Sequence, residues 1–157
     1  MTNVEIREAI GEFLLLLEGT SRANQTNEEA LAVCLDRLAL TVHGARPADC
    51  GVDMQAPRLD PKKLRAQVAA RFPNYGLYRA PGVEPEDEFL LGDAIDDLGD
   101  IAIDLAEVAW LWENAGESAA LWQFFFGFES HWGSHLRNLQ WYVHEMARRG
   151  SEGRRNR

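Results

Sequence analysis

The segment Asp93-Ala94-Ile95-Asp96-Asp97-Leu98-Gly99-Asp100-Ile101-Ala102-Ile103-Asp104-Leu105-Ala106-Glu107-Val108-Ala109-Trp110-Leu111-Trp112 decides the fold. At about 100° per residue, with Asp93 at 0°, Asp97, Asp100, Asp104 and Glu107 project to about 40°, 340°, 20° and 320°. Leu98, Ile101, Ala102, Leu105, Val108, Ala109 and Trp112 fill about 60° to 180°. One apolar face beside one narrow acidic stripe reads as an amphipathic helix, roughly Gly92 to Asn114. The stripe points largely away from the core. Asp97 and Asp104 are the exceptions, because they border Ile101 and Val108 where a neighbouring helix can reach them.

Past the Asn114-Ala115-Gly116 break, the spacing predicts a second long helix over Glu117 to Arg148. With Ala119 at 0°, its residues Leu121, Phe124, Phe125, Phe128, Trp132, Leu136, Leu139, Tyr142, Val143 and Met146 lie between about 140° and 260°. His135 falls inside that face near 160°, His131 on its flank near 120°, and Glu129 on the opposite flank near 280°. The two histidines can therefore converge on one point that Glu129 does not share.

Upstream, Ile6, Ile10, Phe13, Leu14 and Leu17 recur at helical spacing, and Gly19-Thr20-Ser21 ends that helix. A second helix starts near Asn27 as N-cap and buries Leu31, Cys34, Leu35, Leu38 and Val42. Ala48 to Leu59 has no periodicity and reads as a loop. Asp60-Pro61 opens a short third helix carrying Leu64, Val68 and Phe72, which stops before Pro73. Pro73 to Gly92 is a long connection with three prolines and an acidic patch, and it lacks the Asn-Gly or Asp-Gly of a tight hairpin. The expectation is an all-α antiparallel bundle of four or five helices, with a long loop before the last two. Residues 1–147 form a single helical-bundle domain on this reading. Residues 148–157, with Arg148, Arg149, Arg154, Arg155 and Arg157, form a flexible basic tail.

The chain has 157 residues, 46% of them hydrophobic, enough to build one core and too many for a disordered chain. Its 16 basic and 25 acidic residues give a net charge of −9. That sign argues against nucleic acid and against an anionic membrane surface. Between Ala80 and Leu136 there are 13 acids and no Lys or Arg. A field of that sign attracts cations or a basic protein surface. Cys34 and Cys50 are too few for a disulfide framework or a four-ligand zinc site, and both read as reduced thiols. The apolar run Phe13 to Leu17 is too short for a secretory or spanning segment, so the expected location is cytoplasmic.

A buried imidazole needs a hydrogen-bond partner, and the neighbouring helix offers Asp97 and Asp104. That contact is either purely structural or the frame of a divalent metal site drawn from Asp97, Asp100, Asp104, His131 and His135, since imidazole with carboxylate suits zinc, iron or manganese. A ferritin-like di-iron site wants Glu-x-x-His turns on two helices, which are absent. Trp110 and Trp141 project off the main apolar faces and could anchor a partner.

Asp96-Asp97-Leu98-Gly99-Asp100-Ile101-Ala102-Ile103-Asp104-Leu105, followed by Phe128-Glu129-Ser130-His131-Trp132-Gly133-Ser134-His135, resembles the bacterial domain-of-unknown-function 5063 family. That family pairs a D-D-L-x-D-I-x-x-D-L helix with an F-x-x-H-W-G-x-H helix. The resemblance covers most of the chain and implies an all-helical fold with no established activity. It also implies that Asp97, Asp100, Asp104, His131 and His135 belong to one constellation. Asp97-Leu98-Gly99-Asp100 also looks like the second carboxylate motif of all-α nucleoside triphosphate pyrophosphatases, which hold magnesium. Those enzymes also use a Glu-x-x-Glu motif on an earlier helix, which Glu28-Glu29, followed by Leu31, Ala32 and Val33, does not supply.

No nucleophile elbow, phosphate-binding loop or dinucleotide fingerprint occurs, and no catalytic residue is assigned. The leading reading is a noncatalytic interaction or accessory module whose acidic face meets a basic protein partner, with no cofactor. The alternative is a metal-binding protein or metal-dependent hydrolase using the Asp/His cluster between the last two helices.

Overall fold

A computed structural model describes residues 1–19, 25–47 and 53–155. Thr20, Ser21, Cys50, Arg157 and part of the expected loop from Ala48 to Leu59 lie outside the described residues.

Helix α1 (Asn3–Glu18) starts at Thr2, whose hydroxyl accepts from the Glu5 backbone N–H while the Glu5 carboxylate reaches back to the Thr2 N–H. Helix α2 (Asn27–Thr41) uses the same reciprocal cap, with Thr26 and Glu29. The cap is thus one residue earlier than the expected Asn27. Asn27 instead donates from its side chain to the Arg71 carbonyl. Helix α3 (Pro61–Arg71) opens as its sequence predicts, the Asp60 carboxylate accepting from the Lys62 and Lys63 N–H groups. Helix α4 (Ala94–Asn114) is capped by Asp93, which accepts from the Ile95 N–H at 3.0 Å.

Helix α5 (Glu117–Gly127) and helix α6 (Gly133–Arg155) are joined without a loop by one turn of π-helix, Phe128–Trp132. The expected single helix over Glu117 to Arg148 is therefore one rod with an extra residue wound into its middle. The rod continues to Arg155, past the position assigned to the start of a tail. Counted as rods, the helices number five among the described residues.

Pairwise packing links α1 with α2 and α4, α2 with α6, α3 with α4, and α4 with both α5 and α6. Ile6, Phe13, Leu31, Leu35, Leu38, Leu98, Ile101, Leu105, Phe124, Trp132 and Leu136 are completely buried in the shared core. The projected faces of the first two helices and of α4 supply most of these side chains, so apolar periodicity is what aligns the rods. No described helix is long and apolar enough to cross a membrane.

The expectation of a purely helical chain needs one correction. Within the connection from Pro73 to Gly92, strand β1 (Leu77–Ala80) pairs antiparallel with strand β2 (Leu90–Asp93). The register sets Leu77 opposite Asp93, Tyr78 opposite Gly92 and Ala80 opposite Leu90. Its connection is long rather than tight: the Asp87 carboxylate accepts from the Val83 and Glu84 N–H groups and closes a turn within it. A search for two-residue hairpin turns has nothing to find in such a sequence. Strand β2 also lacks alternation, since Leu90 and Leu91 are both exposed.

Candidate metal centre

Helix α4, the π-turn and helix α6 bring four polar side chains into direct contact. His135 Nδ1 stands 2.8 Å from Asp97 Oδ1 and His131 Nδ1 stands 2.7 Å from Asp104 Oδ2. A carboxylate oxygen accepts, so each Nδ1 carries the proton and donates it. This fixes both rings and leaves each Nε2 as the atom with coordinating capacity. The two imidazole rings meet edge to face, centroids 4.9 Å apart.

The five residues singled out in the sequence fall into two positions. Asp100, His131 and His135 each offer a donor atom within 4.8 Å of the others. His135 Nε2 lies 3.6 Å from Asp100 Oδ2. Two donors on one tetrahedral zinc, at about 2.0–2.1 Å each, stand about 3.3 Å apart, so this pair already has close to the required spacing. Asp97 and Asp104 instead sit behind the histidines. Glu129 turns to Arg46, away from the cluster, as its projected flank predicts.

Asp97 is the buried anchor, with 7% of its surface exposed. Its second carboxylate oxygen accepts from the Tyr78 hydroxyl. Burial and the neighbouring Asp97 push the Tyr78 phenol well above its ordinary range, which keeps it a donor. Tyr78 reaches Asp97 because Gly92 faces it across the hairpin: a Cβ at position 92 would come 2.5 Å from the Tyr78 ring. Sequence reasoning missed Tyr78, and the signal available was Gly92 itself, a glycine inside a strand that marks close approach.

The π-turn was missed too. It carries His131 and Trp132, and the Gly133 N–H closes it by donating to the Phe128 carbonyl. A Cβ at Gly133 would collide with that carbonyl oxygen and with the Phe128 ring. At Gly127 a Cβ would stand 3.0 Å from the Trp132 indole. The glycines flanking Phe128-Glu129-Ser130-His131-Trp132 were the legible sign, since π-turns are rare and recur at functional sites.

Hydrogen bonding to Asp97 raises the His135 pKa, outweighing desolvation, with Asp100 and Asp104 adding to the rise. The sign follows from linkage. A folded pKa raised above the unfolded value of about 6.5 gives stability that is complete below that pH and is lost as pH rises through the folded value. In chelator, the melting-temperature difference between wild type and His135→Gln is therefore larger at pH 5.5 than at pH 8.5, as circular-dichroism melts will show. Gly133→Ala should lower the melting temperature at both pH values and remove the nuclear Overhauser contact between the His131 and His135 rings, because the π-turn can no longer close.

No curated protein matches this chain. Its fold is similar to that of protein BF1032 from Bacteroides fragilis, known from a crystal structure. That likeness has a TM-score of 0.70 at 18% sequence identity and covers 91% of this chain and 90% of that one. It shows a shared architecture. The family model for the domain of unknown function DUF5063 matches residues 3–148, which contain α4, the π-turn, the part of α6 that carries His135 and the hairpin that supports the cluster. The chain belongs to the DUF5063 family.

Proposed function

We propose that the chain is a metal-binding module that holds one divalent transition metal between α4 and α6. The ligands are His131 Nε2, His135 Nε2 and an Asp100 carboxylate oxygen, and Asp97 and Asp104 orient the rings from behind. One observation carries this reading: both histidines spend Nδ1 on a carboxylate, the arrangement by which metal-bound imidazoles are oriented and made more basic. A purely structural histidine contact does not require a second imidazole and a third carboxylate at ligand spacing.

Three protein ligands leave a fourth position toward solvent, where the His131 and Asp100 side chains are 49% and 43% exposed. That layout supports metal-dependent hydrolysis as the chemistry, with water as the fourth ligand. The carboxylates around the centre repel phosphate-bearing substrates and favour neutral or cationic ones.

Zinc titrated by calorimetry into chelator-treated protein, purified without a nickel column, should bind at one ion per chain and raise the melting temperature. His131→Ala and His135→Ala should each abolish binding, and Asp97→Asn should weaken it about 10–100-fold. No heat and an unmoved melting temperature would sink the reading.

A second reading, an accessory module with an acidic face for a basic protein partner, draws on a different surface. Arg65 pairs with Asp93 and Asp96, and Arg7 with Glu113, so much of the α4 stripe already has cations of its own chain. Glu84, Glu86 and Glu88 on the hairpin loop are exposed and take part in no ion pair among the described residues. Capture of a basic partner through this loop should weaken with salt and be lost in Glu84→Lys with Glu86→Lys. Salt-independent capture would count against it.

A further inference from the structure

We propose that the groove between strand β1 and helix α6 binds an extended, apolar and acidic peptide segment of a partner protein, which adds to β1 as a third strand. This does not rest on the metal reading: the Tyr78 ring that supports Asp97 also lines the groove, but the binding groups are the outer edge of β1 and residues farther along α6.

The backbone supplies the first argument. The Ala94 N–H donates to the Gly76 carbonyl at 3.1 Å, which makes Leu77 and Asp93 a non-hydrogen-bonded pair. Alternation along the ladder then directs the N–H and C=O groups of Leu77 and Arg79 away from β2. Those groups form no other hydrogen bond among the described residues. An unpaired strand edge of this kind is what an added strand pairs with.

The shape of the groove supplies the second. A cavity of about 460 Å³ lies between β1 and α6, lined by Leu77, Arg79, Trp141, Met146 and Arg149. Leu77 is 66% and Trp141 56% exposed, and both are large apolar side chains at its walls. Trp141 lies roughly parallel to the His144 ring, with centroids 6.2 Å apart, and presents a large aromatic surface at the rim. A strand beside a helix, with alternate side chains dropping into the cleft, is the geometry of strand-addition recognition.

Charge selects the occupant. Arg79 and Arg149 line the groove, and neither belongs to an ion pair among the described residues; Arg79 lies over the Phe89 ring at 5.9 Å. Glu145, the acid in the lining, is taken by Arg148 at 2.9 Å. In a chain of net charge −9, two unpaired cations at an apolar cleft complement carboxylates on the incoming strand.

A phage-displayed library of random eight-residue peptides, panned against the full chain, tests this. Enriched peptides should alternate apolar residues with Asp or Glu. Their affinity, measured by fluorescence polarisation, should fall at least tenfold for Trp141→Ala, for Arg79→Glu with Arg149→Glu, and for peptides N-methylated at alternate residues. Both protein variants alter exposed side chains, and circular dichroism verifies that they fold. Absence of enrichment, enrichment of basic peptides, or indifference to N-methylation would each overturn the proposal. So would a dimer of the free chain in sedimentation that Trp141→Ala dissociates, because the groove would then be filled by a second copy.

Discussion

The carboxylate of Asp97 is the constraint around which this part of the molecule is arranged. It is nearly buried, and an unpaired ion in that position would cost several kcal/mol. Its two oxygens are instead taken by His135 from α6 and by the Tyr78 hydroxyl from the hairpin. Three elements distant in sequence therefore have to meet at one point. Helix α4 supplies the acid, α6 must present its histidine at the matching height, and the hairpin must lie over both. A shift of either helix by one turn would leave the acid without its donors, so a polar contact sets the register that apolar packing alone leaves loose.

The same logic explains how one helix tolerates so many acids. Like charges three and four residues apart repel, by a few tenths of a kcal/mol each. Along α4 the acids are parcelled out to partners. Asp93 caps the helix and, with Asp96, meets Arg65 of α3, Asp97 and Asp104 meet the histidines, and Glu113 meets Arg7 of α1. Asp100 is different, since among the described residues it has no closer partner than His135 Nε2 at 3.6 Å. The residue left over by this partition is the one nearest the ring atoms not already committed.

Much of this was legible in the sequence, for a definite reason. A period of 3.6 residues records which side of a helix is buried, so Leu98, Ile101, Leu105, Trp132 and Leu136 could be placed before any coordinates. The approach of His131 and His135 to Asp97 and Asp104 follows from the same projection. The hairpin was not legible, because Leu90 and Leu91 break the two-residue alternation that marks a half-buried strand, and a long connection hides the turn. Tyr78 could not be assigned to Asp97, because its reach depends on passing over Gly92 in a strand pair that local sequence does not announce. Which acids bond the Nδ1 atoms and which one faces Nε2 was also beyond the projection. Angles about an axis say which residues share a side, and only distances say which oxygen a given nitrogen takes.

The π-turn shows why that last distinction matters. An ideal α-helix advances about 100° per residue, and one residue wound in excess rotates everything after it relative to everything before. Helix α5 packs on α4 and buries Leu121, Phe124 and Phe125, while α6 reaches α4 with His135 and also packs on α2. The winding at residues 128–132 sets the rotation of one half relative to the other. The extra residue lies between Gly127, where a Cβ would press on the Trp132 indole, and Gly133, where the Phe128 carbonyl leaves no room for a side chain. His131 lies inside that turn, so its position relative to Asp104 depends on the local winding as well as on how the rods pack. The centre is thus built on the least regular turn of the most regular part of the fold. Two glycines without side chains do as much to place its imidazoles as the acids that bond them.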